Sequence, residues 1–380
     1  MVFDYFQRKV FYKGLKDSNF FKRIVRRAVY LLNNNDSEEV HDFTLNILNK
    51  YEDIILNESK NFDFPDLYLK LNGRKIKPFG TAAGLDKNGS AIAPLSHLFG
   101  FLELGTVIVN SRDGNKKPRV FVDEKNEEIY NAQGFPSKGL EYFLKNIKEY
   151  REKGGNAYLL VSVCGIPSDE NKLDYAFKEL ENLVSEINPY ADGFVWNPFS
   201  PNTSALSALR NPNEFERNAK LVREISGNKL NLVKMGPYDL EKRQEWLELV
   251  RSWLNGGGDG IVAVNTYLVP KEKIPVKNWG YKSAGRSGRF EQVYRQRAVK
   301  SARINFPNSV IIATGGIDSA YQALSAFEAG ANAVEGYTPY TFYGFSLLKE
   351  ICLDIRKIIH KQNCKTLEQY LEQKKMQNYL

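Results

Sequence analysis

From residue 78 onward the chain repeats one pattern: a short apolar run, a polar or glycine-rich cluster, then an amphipathic stretch. The apolar runs cover residues 78–84, 101–107, 158–164, 193–197, 231–235, 260–265, 310–316 and 333–338. Runs this short and this continuously apolar predict strands covered on both faces, as in parallel sheets. Between most of them, stretches such as 137–153, 174–187, 213–225 and 240–254 space their apolar residues for helices. Alternating strands and helices imply parallel pairing with right-handed crossovers. Eight such units predict an α/β fold closed into a (β/α)8, or TIM, barrel.

The polar clusters favour a barrel over a doubly wound open sheet. Nearly every apolar run ends in one: Ala83 to Lys87, Gly105-Thr106, Asn197 to Thr203, Lys234, Asn265-Thr266, Gly315-Gly316 and Tyr337-Thr338. In a barrel all of these fall on the rim at the strands' C-terminal ends, where the βα-loops build an active site. An open sheet would gather its ligand groups at one switch point instead.

Ahead of the barrel, residues 1 to about 60 read as helical. Phe43, Leu45, Ile47 and Leu48 recur among polar neighbours, and Ser37 followed by acidic residues marks a helix start. A Pro-containing stretch at 61–67 ends this section. The expected organisation is a helical segment at 1–68, a barrel at 69–362 and a polar C-terminal tail at 363–380. Two interruptions exceed a minimal barrel: a hairpin from Arg119 to Asn131 turning at 123–126, and a long Gly- and Lys-rich connection from Thr266 to about Tyr294. Loops of that length usually serve function.

Charge changes the picture at one end. The net charge of +8 is concentrated in residues 1–28, where eight Lys and Arg face only Asp4 and Asp17. Phe3, Tyr5, Phe6, Val10, Phe11, Tyr12, Phe20, Phe21, Ile24 and Val25 are interleaved with them. That mixture suits a helix lying in a membrane interface, and it equally suits one docked on the chain's own body. Nucleic acid is not expected as a partner, because no binding motif accompanies the charge. No apolar run approaches the roughly 20 residues a spanning helix needs. The N-terminus lacks the apolar core and cleavage site of a secretory signal and is read as part of the mature protein. Cys164, Cys352 and Cys364 fit neither a disulfide framework nor a zinc site, so a reducing compartment and no metal are expected.

The clusters themselves suggest chemistry. Gly315-Gly316, Tyr337-Thr338 and Ser287-Gly288-Arg289 would bring N–H groups and hydroxyls to the corner where barrels bind phosphate, although each glycine alone could simply make a turn. Lys87 and Lys234 sit at strand ends, where an ammonium can stabilise developing negative charge; Schiff-base formation is the rival chemistry, and a surface ion pair the bland one. Asn131, Asn197, Asn202 and Asn265 could hold a planar ligand rich in carbonyls and N–H groups, or merely cap turns. His41, His97 and His360 lie outside these clusters. A general base must therefore be sought elsewhere, and Ser200 alone would pass for a turn residue before Pro201.

Taken together, AAGLDKNG at 82–89, GTV at 105–107, GNKKPR at 114–119, NAQGF at 131–135, SPNT at 200–203, SGR at 287–289 and GGI at 315–317 resemble the dihydroorotate dehydrogenases. The likeness is to their membrane-associated, quinone-using class 2 and runs from about residue 1 to about 360. The front section, with VHDFT at 40–44, is similar to that class's helical extension, which forms a quinone tunnel at the membrane surface. The resemblance implies an FMN-dependent oxidation of dihydroorotate to orotate in pyrimidine (UMP) biosynthesis, with electrons passed to a quinone. It implies an FMN site of Ala83, Gly84, Thr106, Ser162, Asn197, Lys234, Ser287, Gly288, Gly315, Gly316, Tyr337 and Thr338. Orotate would be held by Lys87, Asn131, Phe135, Asn197, Asn202, Asn265 and Thr266, with Ser200 removing the C5 proton while hydride leaves C6. Class 1 enzymes place cysteine there, so serine favours class 2. A peripheral membrane location follows, on the cytoplasmic face in a prokaryote or the mitochondrial inner membrane in a eukaryote.

Several positions depart from the family pattern. Ser162 replaces its usual Asn on the third strand, Pro136-Ser137 replaces the Asn-Asn after Phe135, and Pro198-Phe199 replaces the Ile-Ser before the catalytic serine. Val122 stands where class 2 places an Arg between flavin and quinone. A flavoprotein on the same barrel with another substrate or acceptor is therefore the alternative, and a non-catalytic flavin-binding relative is a third reading.

Overall fold

A computed structural model describes residues 2–167, 173–200 and 203–377. Eight parallel strands close into a barrel: β1 (Phe79–Thr81), β2 (Phe101–Val107), β3 (Tyr158–Val163), β4 (Gly193–Trp196), β5 (Leu230–Lys234), β6 (Gly260–Ala263), β7 (Val310–Thr314) and β8 (Ala333–Gly336). They pair in chain order, and β8 returns to β1 through Val334 opposite Phe79. All eight expected strands are present. The four named helices form at Leu140–Glu152, Leu173–Ile187, Pro212–Ser226 and Arg243–Asn255.

The period of two along a strand sorts the barrel interior into layers. At the N-terminal end Phe101, Leu160, Val195, Leu232, Val262, Ile312 and Ala333 pack together, with Leu71 and Ile76 of a hairpin (Leu69–Leu71 and Arg74–Ile76) as the floor. Two residues further along the same strands stand Glu103, Ser162, Asn197, Lys234, Thr314 and Glu335. All six are buried. The apolar floor thus gives way to a polar layer immediately below the rim.

The two interruptions are one structure. The hairpin at 120–131 and the strands Tyr267–Pro270 and Ser283–Gly288 join in a four-stranded antiparallel sheet, with Ser283–Gly288 beside Glu128–Asn131. This sheet carries Asn131 and Ser287 to the rim.

The front helices are Val2–Lys16, a helix over residues 18–32 with a π turn at Phe21–Val25, Ser37–Lys50 and Glu52–Glu58. Asp36, one residue before the expected start, caps the third by accepting from the amides of Glu38 and Glu39. That helix buries Val40, Leu45 and Leu48. The C-terminal segment, whose polar sequence reads as a helix or a frayed end, forms a helix at Leu367–Gln377 that buries Leu367 and Tyr370.

Candidate functional site

The rim holds a cavity whose lining includes Lys87, Asn131, Phe135, Asn197, Ser200, Asn265 and Thr266. Ala83, Gly84, Thr106, Lys234, Ser287, Gly315, Gly316, Tyr337 and Thr338 line it too. Two expected residues lie just outside it. Ser162 is fully buried beneath Thr106, its Oγ 2.9 Å from Thr106 Oγ1. Gly288 lines a small adjoining cavity with Gly316 and Thr338. Asn202 lies outside the described residues.

Hydrogen bonds fix the polar groups relative to one another. Asn197 Nδ2 donates to Thr106 Oγ1 at 2.8 Å, Asn265 Nδ2 donates to Asn197 Oδ1 at 3.0 Å, and the Thr266 amide donates to Asn265 Oδ1 at 2.8 Å. Each amide is oriented by its neighbour, so the edge facing the cavity has a defined pattern of donors and acceptors. Ser287 Oγ and Thr338 Oγ1 are 2.9 Å apart, while Gly315 and Gly316 hold φ values of 110° and 65° that favour glycine. Backbone N–H groups and hydroxyls in such a cradle suit an anion. Arg289 is not available there, being paired with Asp318 at 2.7 Å and Glu127 at 2.9 Å.

Lys234 rises from the polar layer into this cavity. Its Nζ lies 2.9 Å from Glu103 Oε2 and 3.2 Å from Glu335 Oε1. Both carboxylates are inaccessible to solvent, and Glu103 Oε1 and Glu335 Oε2 have no hydrogen-bond partner among the described residues. Two acids and one base cannot all be charged cheaply in such a place. Burial, followed by the neighbouring Glu103, pushes the Glu335 carboxyl well above the usual range, whereas the two acids outweigh burial and hold the Lys234 ammonium charged. Lys87 behaves oppositely: burial lowers its pKa despite Glu38 and Asp42, and its Nζ donates to Gly84 O at 3.1 Å.

The loop over the cavity is strained and braced. Phe135 sits at φ 56°, a conformation costing a bulky residue roughly 1–2 kcal/mol. Arg119 forks onto Glu38 at 2.9 and 3.0 Å, and Gln133 reaches the same carboxylate at 3.3 Å. The front helix starting at Ser37 is therefore tied to the loop that carries Phe135.

A second cavity, largely apolar, lies between the front helices and the barrel. Phe11, Val29, Val40, Thr44, Ile47 and Val122 are among its lining residues. Val120, Ile129 and Tyr337 line both cavities and form the wall between them. His41 lines the second cavity, its Nε2 2.7 Å from Leu85 O.

A model of the family described as dihydroorotate dehydrogenase matches residues 67–359. The chain belongs to the dihydroorotate dehydrogenase family. A protein of Pseudoalteromonas atlantica named dihydroorotate dehydrogenase (quinone) is 32% identical over 83% of this chain and 95% of its own. The same name is carried by a Pectobacterium atrosepticum protein, 29% identical over 88% of this chain and all of its own. The fold is shared with the DHODH of Eimeria tenella, solved in complex with ferulenol, at a TM-score of 0.74 and 24% identity over 87% of this chain and 93% of that one.

Reading the sequence alone missed Glu103, Glu335 and Glu291 in and around the site. The first two leave a trace, since an acid within the otherwise apolar FLELGTV or AVEG strand needs a buried partner. Glu291 leaves none, because it follows a turn and looks like any helix-start acid.

Replacing Lys234 by Met should strand Glu103 and Glu335 without a cation and cost about 3–5 kcal/mol. Both acids then bind protons more tightly folded than unfolded, so the loss should grow as pH rises above the ordinary carboxylate range and shrink on acidification. Urea midpoints at acidic and alkaline pH check this; an unchanged midpoint at both would contradict the arrangement.

Proposed function

We propose that the chain oxidises dihydroorotate to orotate with an FMN held in the rim cavity and passes the electrons to a quinone in the second cavity. The observation that carries this is the pairing of the two cavities across one thin wall. The polar cavity combines an anion cradle with an oriented amide edge, and the apolar one opens beside it.

The residues fit a flavin. Gly315, Gly316, Ser287 and Thr338 would hold the phosphate, and Gly288 would support that corner from the adjoining cavity. Ala83, Gly84, Thr106 and Tyr337 would flank the ring system. Lys234, kept charged by Glu103 and Glu335, would stabilise negative charge on it. Ser162 would act through Thr106. Bound there, FMN supplies the acceptor for the hydride from C6 of the substrate.

Asn131, Asn197, Asn265 and Thr266, together with Asn202, would read the substrate's alternating carbonyl and N–H edge, which is what amides do best. Lys87 would pair with its carboxylate, and Phe135 would cover it. Ser200 would take the C5 proton. A serine is a weak base near neutral pH and needs an acceptor for its own proton. Thr203, whose buried Oγ1 has no partner among the described residues, supports a relay in that direction.

The front helices support a membrane location. Tyr5, Phe6, Ile24, Leu31 and Leu32 are exposed among Lys9, Lys13, Arg23 and Arg27, while Phe11, Leu15 and Val25 face inward. The segment thus docks on the barrel and still presents an apolar, basic face, which fits peripheral binding. No described helix is long and apolar enough to cross a membrane. A different acceptor is the second reading, favoured by Val122, which leaves that part of the apolar cavity without a charge.

Ser200→Ala should retain the flavin's colour while its anaerobic reduction by dihydroorotate slows about 10²- to 10⁴-fold in stopped flow. Loss of colour or an unchanged rate would argue against the role. Thr44→Trp should fill the apolar cavity, raising the KM for quinone about tenfold and leaving flavin reduction within about twofold. Equal effects on both half-reactions would contradict a separate quinone site.

A further inference from the structure

Glu291 is the one acid among the described residues lining the rim cavity. It closes the turn after Ser287 and Gly288 and is 3% exposed. Its side chain lies against the glycine pair at the end of β7: a Cβ added to Gly315 would come within 3.0 Å of Glu291 Cβ and 3.1 Å of its Oε2. The other oxygen, Oε1, is sealed from solvent and has no hydrogen-bond partner among the described residues.

Of the charged groups around it, Lys234 is committed elsewhere and Arg295 in part, its Nε being buried with no partner among the described residues. Arg295, one turn along the same helix, donates to Gly315 O at 2.6 Å and Gln322 Oε1 at 2.7 Å. Lys234, from β5, is held by Glu103 and Glu335. The backbone amides of Gly288 and Tyr267 face the carboxyl, yet burial outweighs them and pushes its pKa well above the usual range. A charged carboxylate here would also stand beside the corner that takes the flavin phosphate, itself a dianion above about pH 7. A neutral acid has a proton to donate instead.

We propose that Glu291 serves as a neutral carboxylic acid beside the phosphorylated end of the flavin, so that the flavin is held only while Glu291 keeps its proton. This rests on the flavin reading above. It makes Glu291 a binding residue of this chain that discriminates phosphorylated from unphosphorylated flavin by pH.

The test is the Kd of FMN and of riboflavin for the full-length chain, from flavin fluorescence, between about pH 7 and about pH 10. Wild type should lose FMN affinity about tenfold per pH unit once Glu291 ionises, as one linked proton requires. Glu291→Gln keeps a donor and cannot ionise; it should match wild type within about threefold at the low end and stay flat above it. Riboflavin, without the phosphate, should show a much shallower slope with wild type. An infrared carboxylic-acid band that shifts when FMN binds and is absent in E291Q gives the same answer independently of affinity. Identical pH profiles in wild type and E291Q, or no such band in wild type, overturn the proposal. Failure of both proteins to bind FMN at any pH overturns the flavin reading itself.

Discussion

The site depends on one ammonium buried between two carboxyls. Lys234 ends β5 inside the barrel, with Glu103 on β2 and Glu335 on β8 within 2.9 and 3.2 Å. An isolated charge there would be ruinous; a triad that shares one proton is tolerable and fixes three strands relative to one another. Such clusters seldom add net stability over apolar packing. Their value here is positional, because they set a cation at a defined point on the cavity wall. The apolar layer below, floored by Leu71 and Ile76, keeps water from the triad's lower side.

From that fixed point the rest of the rim follows by hydrogen bonding. The chain from Ser162 through Thr106, Asn197 and Asn265 to the Thr266 amide runs across the ends of four strands, β2, β3, β4 and β6. The antiparallel sheet above the rim adds Asn131 and Ser287, and the front helices brace the Phe135 loop through Glu38 and Arg119. The bracing couples the position of the front helices to that of the Phe135 loop.

Much of this was legible in the sequence. Parallel strands covered on both faces leave short, continuous apolar runs, so β1 to β8 announced themselves, and the polar cluster ending each run marked the rim. Most of the candidate residues named from those clusters do line one cavity. What was not legible depends on contacts distant in the chain. The hairpin at 120–131 gives no sign that it will pair with Ser283–Gly288, since edge pairing has no local signature. The roles of Glu103 and Glu335 require knowing that Lys234 lies across the barrel. The front helices dock in part on the barrel and leave an apolar, basic face exposed, a division that depends on contacts their local pattern does not reveal.

The central claim is that a single rim cavity, anchored by Lys234, holds flavin and substrate together. A crystal structure of the full chain grown with orotate tests it most directly. The account predicts flavin density beside Lys234 and over Gly315-Gly316, with orotate stacked on it between Lys87, Asn131 and Asn265, within reach of Ser200. Orotate bound elsewhere, or a flavin whose phosphate lies away from the Ser287, Gly316 and Thr338 corner, would contradict it.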